Sequence, residues 1–236
     1  MIPVYNEGPN IGQTLRRIVN TVRFPFRVNI VYDFDEDDSL PVASNVAQDL
    51  AIDTRFVRNK YGGGVLNAIK TGFEETDHPY VIVTMADLSD PPEVMNNMFH
   101  VAVLDGADVV CASRYMKGGS QTGGPFLKTL LSRLAGVSLF YLAGIPTHDA
   151  TNSFKLYGRK VLQSITIEST GGFELGIEIV VKAHQMGFKI AEVPTHWTER
   201  VAGQSRFRLI QWLPNYLRWY WRAIAGRGGR ATKRWG

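Results

Sequence analysis

Cysteine is almost missing from this chain of 236 residues: there is one, Cys111. A disulfide framework is therefore excluded, and a reducing compartment fits. Cys111 lies in the apolar run Asp108-Val109-Val110-Cys111-Ala112, which reads as core and not as a nucleophile. Histidine is scarce as well, and with a single cysteine the chain offers no spacing for a zinc site. No uninterrupted apolar run reaches the ~20 residues that a membrane span needs. No secretory leader is legible, because Met1 runs at once into Ile2-Pro3-Val4-Tyr5. Strand-like residues from the second position suggest a clipped amino terminus or a late start site.

Acidic residues are absent from residue 207 onward. Arg208, Arg218, Arg222, Arg227, Arg230, Lys233 and Arg234 give that stretch +7, so a net +4 leaves −3 for residues 1–206. Four of the five tryptophans fall in the same stretch. With 44% hydrophobic and 20% charged residues, the remainder has the composition of one large globular domain. The expected division is a domain over 1–206 and a basic, aromatic extension over 207–236. Leu209, Trp212, Leu213, Tyr216, Leu217, Tyr220 and Ile224 recur at helical spacings, and Pro214 predicts a break or a helix start. Such a segment either packs on the domain or lies in a membrane interface, with tryptophans at headgroup depth and arginines on anionic lipid. The second reading is preferred, and it makes the partner an anionic membrane and not nucleic acid.

The first half alternates strand and helix signals. Strands are expected at Ile2–Tyr5, Val28–Tyr32, Thr54–Val57, Tyr80–Thr84 and Asp108–Ala112. Helices are expected from Ile11 to Val22, Val42 to Leu50, Val65 to Phe73 and Val94 to Leu104. That alternation predicts an α/β fold with a mainly parallel sheet. In the second half, Leu127 to Leu142 and Phe173 to Met186 read as helices, and Phe154–Tyr157 and Phe188–Val193 as strands. Ligands of such sheets bind beyond the carboxyl ends of the strands.

Chemistry-bearing residues gather at those ends. In Val81 to Glu93, an apolar strand runs into Ala86-Asp87-Leu88-Ser89-Asp90 and stops at Pro91-Pro92. Oxygen atoms on Asp87 and Ser89 suit Mg²⁺ or Mn²⁺, which bind through one or two carboxylates plus substrate phosphates. Asp90 is expected to cap the following helix. In Tyr32 to Ser39, Asp35, Glu36 and Asp38 read as a solvated acidic loop, whereas Asp33 is placed to accept from the N–H groups of a nucleobase. Gly62-Gly63-Gly64 opens a helix but lacks the spacing of a Walker loop or a dinucleotide fold. Arg200, Ser205 and Arg206 around Gly203 would close on a diphosphate.

Taken in order, these pieces resemble family 2 glycosyltransferases of the GT-A fold, most closely the group that loads dolichyl and polyprenyl phosphates with mannose. The matching residues are Pro3-Val4-Tyr5-Asn6-Glu7, Asp33 and Asp37, Ala86-Asp87-Leu88 with Pro91-Pro92-Glu93, Ser113-Arg114-Tyr115 with Gly118-Gly119, Asp149 to Phe154, Glu192-Val193-Pro194, and Arg200 with Gly203 and Ser205-Arg206. Tyr32 stands where the family has the first of two acids, Met85 where it has the first Asp of Asp-Ala-Asp, Ser89 where Gln is frequent, and Arg206 where Lys is usual.

The resemblance implies a nucleotide-binding first half, a mixed α/β acceptor-side second half, and a metal-dependent, inverting hexose transfer from a nucleotide-diphosphate sugar to a polyprenyl phosphate. Pro3, Tyr5, Glu7, Asp33, Asp87, Arg200, Ser205 and Arg206 would bind the donor, and Asp87 with Ser89 the metal. Arg200 and Arg206 would also steady the leaving diphosphate, whose charge grows as it departs. Arg114, Lys128, Arg133 and Asp149 would face the acceptor, Asp149 in contact with the sugar or with an acceptor-side arginine. The glycine-rich Gly118 to Gly124 loop would be mobile before them. A phosphate acceptor is largely dianionic near pH 7, with a second pKa of ~6, and needs positioning and not a base. With a saccharide or protein hydroxyl as acceptor, Asp149 or Glu174 would be the base. Glu178 has a simpler reading as a partner of Lys182, one turn on. A sugar-phosphate nucleotidyltransferase is disfavoured, because Asn6-Glu7 replaces the glycine-rich basic loop expected after its first strand. A non-catalytic lipid- or nucleic-acid-binding module would explain the tail alone. The expected location is cytoplasmic and peripheral, at the inner face of the cell membrane.

Overall fold

The computed structural model of the protein describes residues 1–199 and 209–226. The first half alternates as the apolar spacing predicts: β1 (Ile2–Pro3), α1 (Gly8–Thr21), β2 (Val28–Tyr32), α2 (Ser39–Asp49), β3 (Thr54–Arg58), α3 (Val65–Glu74), β4 (Tyr80–Val83), α4 (Glu93–Leu104) and β5 (Val109–Ser113). In α1 the residues that recur at three and four, Ile11, Leu15 and Ile18, form the buried stripe. Strands β1, β2 and β3 pair in parallel, with Ile2 opposite Ile30 and Val31 opposite both Pro3 and Val57.

The second half adds β7 (Lys155–Gly158) between β4 and β5, antiparallel to both, and β8 (Ile190–Pro194) parallel to β5. Met1 stitches the two sets together. Its amino group donates to the Ile82 carbonyl at 2.8 Å, and the Thr84 N–H donates to its carbonyl at 3.2 Å. The strands thus run β3-β2-β1-β4-β7-β5-β8, all parallel but β7.

Alternation along the strands assigns the two faces. Val109 and Cys111 point to one core with α3, α5 (Phe126–Ala143), α7 (Leu175–Met186) and α8 (Leu209–Gly226), whereas Val110 and Ala112 point to the other with α1, α2 and α4. A sheet covered on both faces needs apolar residues on both, hence the unbroken run around Cys111. Burial pushes the Cys111 thiol up to about 11, as suits a core residue.

Some elements differ from expectation. β1 is shorter, because Asn6 turns the chain with a φ of 52°. A short helix, α6 (Arg159–Ser164), follows β7. The loop Gly118 to Gly124 contains a strand, β6 (Ser120–Thr122), paired in parallel with β9 (His196–Thr198). That pairing fixes the loop, against the expectation that it is mobile.

The extension is corrected most. α8 runs through Pro214, which costs one backbone bond near its start. It lies on α5 and α7: Ser138 shares a hydrogen bond with the Tyr220 hydroxyl at 3.0 Å, and Gln185 donates to the Arg222 carbonyl at 3.1 Å. Trp219 is 1% exposed, with Lys182, Arg218 and Arg222 over its ring. Glu168 takes Arg218 at 2.9 Å and Arg222 at 3.0 Å, so these two arginines face a carboxylate and not a lipid. α8 thus packs on the domain through Trp219 and Ala223, the first of the two readings weighed for this segment, while Leu217 and Trp221 stay exposed. Trp219→Ala is expected to lower stability by ~3–5 kcal/mol, the range for emptying a large aromatic site. Denaturant unfolding measures it, as a lower midpoint at unchanged slope.

Candidate functional site

The carboxyl ends of β1, β2, β4 and β5 open on a cavity of about 1070 Å³, walled on the far side by α5, α8 and the residues around β9. Pro3 lines it at the end of β1, Tyr5 and Glu7 after that strand, Asp33 after β2, Asp87, Ser89 and Asp90 after β4, and Arg114 after β5.

The loops after β1 and β2 are fastened to each other by carboxylates. Asp37 accepts from the Asn6 N–H at 3.1 Å and the Ser39 N–H at 2.8 Å, and Asp38 accepts from the Gly8 N–H at 2.9 Å. Glu7 accepts from the Asn10 amide at 2.7 Å. Asp35 is exposed and pairs with Arg58 at 2.8 Å. Asp33 spends one oxygen on the Asn59 amide and the other on the Gly64 N–H, both at 2.8 Å. It therefore shapes the glycine loop before any ligand arrives, a task not foreseen for it.

After β4, Leu88 takes a left-handed φ of 60°. For a bulky residue that conformation costs ~1–2 kcal/mol. It folds Ser89 back, so that its N–H at 3.1 Å and its hydroxyl at 2.7 Å both donate to one oxygen of Asp87. The loop is held from behind by Thr14, which donates to the Ala86 carbonyl at 2.6 Å. Asp90 does not cap α4, which begins at Glu93 with no side-chain cap. Its Oδ1 is buried without a hydrogen-bond partner. Burial, then the charge of Asp87, raise its carboxyl to about 7, against a partial pull from Arg114.

Among the described residues, no three His, Cys, Asp or Glu side chains gather to cage a metal. Asp87, the Ser89 hydroxyl and the unpartnered Asp90 oxygen form a sparse, all-oxygen set. Such a set fits Mg²⁺ or Mn²⁺, which keep part of their shell for water and substrate phosphates.

Arg114, expected on the acceptor side, is half of a buried pair. Its Nε and Nη2 donate to the two oxygens of Asp149 at 2.6 and 2.9 Å, and its own N–H donates to Asp149 at 3.1 Å. Burial works against the guanidinium charge, but Asp149 outweighs it and raises the pKa. Asp149 is fully buried, and its contact is Arg114, one of the two partners expected for it. On α5, Lys128 lines the cavity, as do Leu131, Ser132 and Ala135. Arg133 is exposed and does not line it. Five residues beyond Lys128, it points roughly 140° away at 3.6 residues per turn. Glu174 accepts from the Gly171 and Gly172 N–H groups at 2.6 Å each, which removes it as a ready base. Glu178 pairs with Lys182 at 2.6 Å. Arg200, Ser205 and Arg206 lie outside the described residues.

The sequence reading missed Gln121, Trp197, Glu199 and the aromatic wall of Phe173, Trp212 and Tyr216, all but the first of which were hidden by an irregular second half. Gln121 receives Arg114 at 3.4 Å and the Tyr115 hydroxyl at 3.1 Å, and donates to Thr129 at 2.7 Å.

A family model described as glycosyl transferase family 2 matches residues 1–166. The chain is 27% identical over 233 residues to a dolichol-phosphate mannosyltransferase of Pyrococcus furiosus, covering 97% of this chain and 64% of that protein. It thus spans less than two thirds of that relative. It is 28% identical over 211 residues to a polyprenol monophosphomannose synthase of Mycolicibacterium smegmatis, covering 87% of this chain and 79% of the relative. Its fold is similar to glucosyl-3-phosphoglycerate synthase of Mycobacterium tuberculosis, whose crystal structure holds Mn²⁺, UDP and phosphoglyceric acid. The TM-score is 0.67 at 16% identity, over 96% of this chain and 76% of that one. The same enzyme with Mg²⁺ and UDP gives 0.67 at 17% identity, over 97% and 78%. Parallel strands ending on a carboxylate-lined cavity, in a chain matched by the family model over residues 1–166, place the protein in glycosyl transferase family 2, with the GT-A fold.

Proposed function

We propose that the protein moves a hexose from a nucleotide-diphosphate sugar to a polyprenyl phosphate at a membrane surface, with Mg²⁺ or Mn²⁺ on the diphosphate. The observation that carries this reading is the division of the cavity into two chemistries. Its sheet side is polar, with Asp87, Asp90, Asp33 and Glu7. Its helix side is an apolar trench between α5 and α8, with Leu131, Leu134, Leu213, Tyr216 and Leu217, and Lys128 at the α5 end. A sugar nucleotide suits the first, and a phosphate carrying an isoprenoid chain suits the second. The names of the two relatives carry mannose and a dolichol or polyprenol phosphate, which supports the same sugar and acceptor classes.

Asp87 would hold the cation and Ser89 keeps its carboxylate oriented. The cation would neutralise charge on the departing diphosphate. Lys128 draws the acceptor phosphate in, and Arg114, fixed by Asp149, adds positive potential beside it. A phosphate oxygen attacks the anomeric carbon, the bond from that carbon to the diphosphate breaks, and the nucleoside diphosphate leaves with the electron pair. The dianionic acceptor needs no base, which agrees with Asp149 and Glu174 being spent on the chain itself. The donor roles of Pro3, Tyr5, Glu7, Arg200, Ser205 and Arg206 belong to the same proposal.

The outer face of α5 supplies the approach to a membrane. Among the described residues, α5 alone is long and apolar enough to cross one, with a mean hydropathy of 1.3 and 17% of it buried. Lys128 and Arg133 interrupt it, which is why no long apolar run stood out in the sequence. On α5 Phe126 is 79% exposed and Leu127 57%, and on α8 Trp221 is 62% exposed. Lying in the interface of an anionic bilayer would cover these residues and place the trench at the lipid. The location proposed is cytoplasmic and peripheral, at the inner face of the cell membrane.

A second reading has one observation behind it. The unpartnered oxygen of Asp90, with its carboxyl raised to about 7, also suits proton removal from a hydroxyl acceptor. The deciding experiment offers GDP-mannose and UDP-glucose with Mn²⁺, and farnesyl phosphate or 3-phosphoglycerate as acceptor. Transfer to farnesyl phosphate is expected. Transfer to 3-phosphoglycerate alone would overturn the polyprenyl reading.

Asp87→Asn is expected to lower turnover by at least ~10²-fold and to remove the Mn²⁺ dependence of sugar-nucleotide binding, with folding kept. Calorimetry with and without Mn²⁺ checks it, and unchanged turnover at saturating Mn²⁺ would refute the assignment. For the membrane face, Phe126→Asp with Leu127→Asp should reduce sedimentation with liposomes containing phosphatidylglycerol, without lowering the melting temperature. Equal sedimentation of both proteins would place the contact elsewhere.

A further inference from the structure

β9 touches both halves of the cavity. On one side the Thr198 N–H donates to the Ser89 carbonyl at 3.2 Å, within the Asp87 loop. On the other it runs parallel to β6, with the Ser120 N–H on the Thr195 carbonyl at 2.9 Å and the Glu199 N–H on the Thr122 carbonyl at 3.0 Å. The next residue side chain closes the arrangement: Glu199 accepts from the Gly124 N–H at 3.0 Å. Gly124 stands just before Pro125 and the first turn of α5, which carries Lys128.

The loop is moulded on its partners. Gly123 and Gly124 have φ of 80° and 83°, a region that favours glycine. A Cβ on Gly123 would lie 2.9 Å from that of Glu199, and one on Gly124 would lie 3.4 Å from the Trp197 ring. Hydrogen bonds link Asp87 to Ser89 and Ser89 to Thr198, the backbone carries on to Glu199, and Glu199 holds Gly124 at the start of α5. A network of this kind is a route by which one loop's position can bias the other's.

We propose that Glu199 is a positioning residue that clasps the acceptor-side loop to β9, so that ligand at the α5 end and ligand at Asp87 reinforce each other's binding. The inference rests on the donor and acceptor ends assigned above, and it adds coupling between them. Because coupling is reciprocal, acceptor should tighten donor binding by the factor by which donor tightens acceptor binding.

The test uses the full chain with Mn²⁺ and measures by calorimetry the dissociation constants of GDP-mannose and UDP-glucose alone, and of GDP and UDP, which carry no sugar to transfer, with and without farnesyl phosphate. The intact protein should bind the nucleoside diphosphate of its donor at least about fivefold more tightly when farnesyl phosphate is present, the lower end of ordinary coupling. In Glu199→Ala that ratio should fall to near one. Glu199→Gln should keep most of it, since an amide oxygen still accepts from Gly124, and this rescue separates the hydrogen bond from general disturbance. Gly123→Ala, which displaces Glu199 from the other side, should lose the ratio as well. The inference is overturned if Glu199→Ala keeps the intact ratio, if Glu199→Gln loses as much as Glu199→Ala, or if the intact chain transfers to farnesyl phosphate with a ratio of one. In that last case the transfer reading stands alone. If the intact chain binds neither sugar nucleotide, the transfer reading falls and the coupling with it.

Discussion

The ion pair between Arg114 and Asp149 is the contact on which the site depends. It joins the end of β5 to the turn before β7, two segments whose strands run in opposite directions. Both partners are buried, so each loses its water, and that loss is recovered only through geometry as good as two guanidinium bonds and a backbone N–H on one carboxylate. The same carboxylate accepts from the Asn152 N–H at 3.2 Å, and Asn152 reaches across to the Ala112 carbonyl at 2.9 Å. Fixing Arg114 fixes Gln121 and Tyr115, and through them the start of α5. An arginine free to swing would have been a better trap for loose anions and a worse support for a reaction that needs its charge in one place.

Carboxylates do most of the shaping elsewhere. Asp33, Asp37, Asp38 and Glu174 all end on backbone N–H groups of turns that the ladder of the sheet does not serve. A buried turn has donors left over, and an acid meets them with charge-assisted bonds. This explains how five carboxylates fit between Asp33 and Asp38: two tie down the loop after β1, one holds the glycine loop, one pairs with Arg58, and Glu36 remains in solvent.

The first half of the fold was legible because its strands and helices carry their own periodicity. Ile11, Leu15 and Ile18 repeat at helical spacing, and Val109 to Ala112 is apolar on both faces. The loop positions of Asp87 and Asp33 followed from where the strands stop. What the sequence hid depends on contacts distant along the chain. β6 and β9 are three residues each, too short for a pattern, and exist because they pair with each other. Trp219 looks like its neighbour Trp221, yet one is buried on Lys182 and the other is exposed. Helical spacing gave both faces of α8 apolar residues, and only packing against α5 and α7 decides which face is inside. Arg114 and Asp149 were legible as site residues, but their mutual pairing spans thirty-five positions and has no local signature.

The exposed face of α5 bears on how the two cavity halves work together. Most folded domains keep large contiguous apolar patches covered, and a helix that leaves Phe126, Leu127, Leu134 and Tyr141 in water gains nothing from their packing. The inner face of the same helix carries Lys128, Leu131 and Ala135 into the cavity. One helix thus presents apolar surface outward and a cation with an apolar trench inward. An amphiphile with an anionic head is the ligand whose own division of charge and hydrocarbon matches that arrangement, since its head can reach Lys128 while its chain stays in contact with α5 and α8. A small, uniformly polar acceptor would leave the trench wet and unused, at a cost in apolar hydration of about 25 cal/mol for each Å² left uncovered. On the reading proposed above, the second half of the chain would bring a lipid-borne anion to the polar pocket at the ends of the strands.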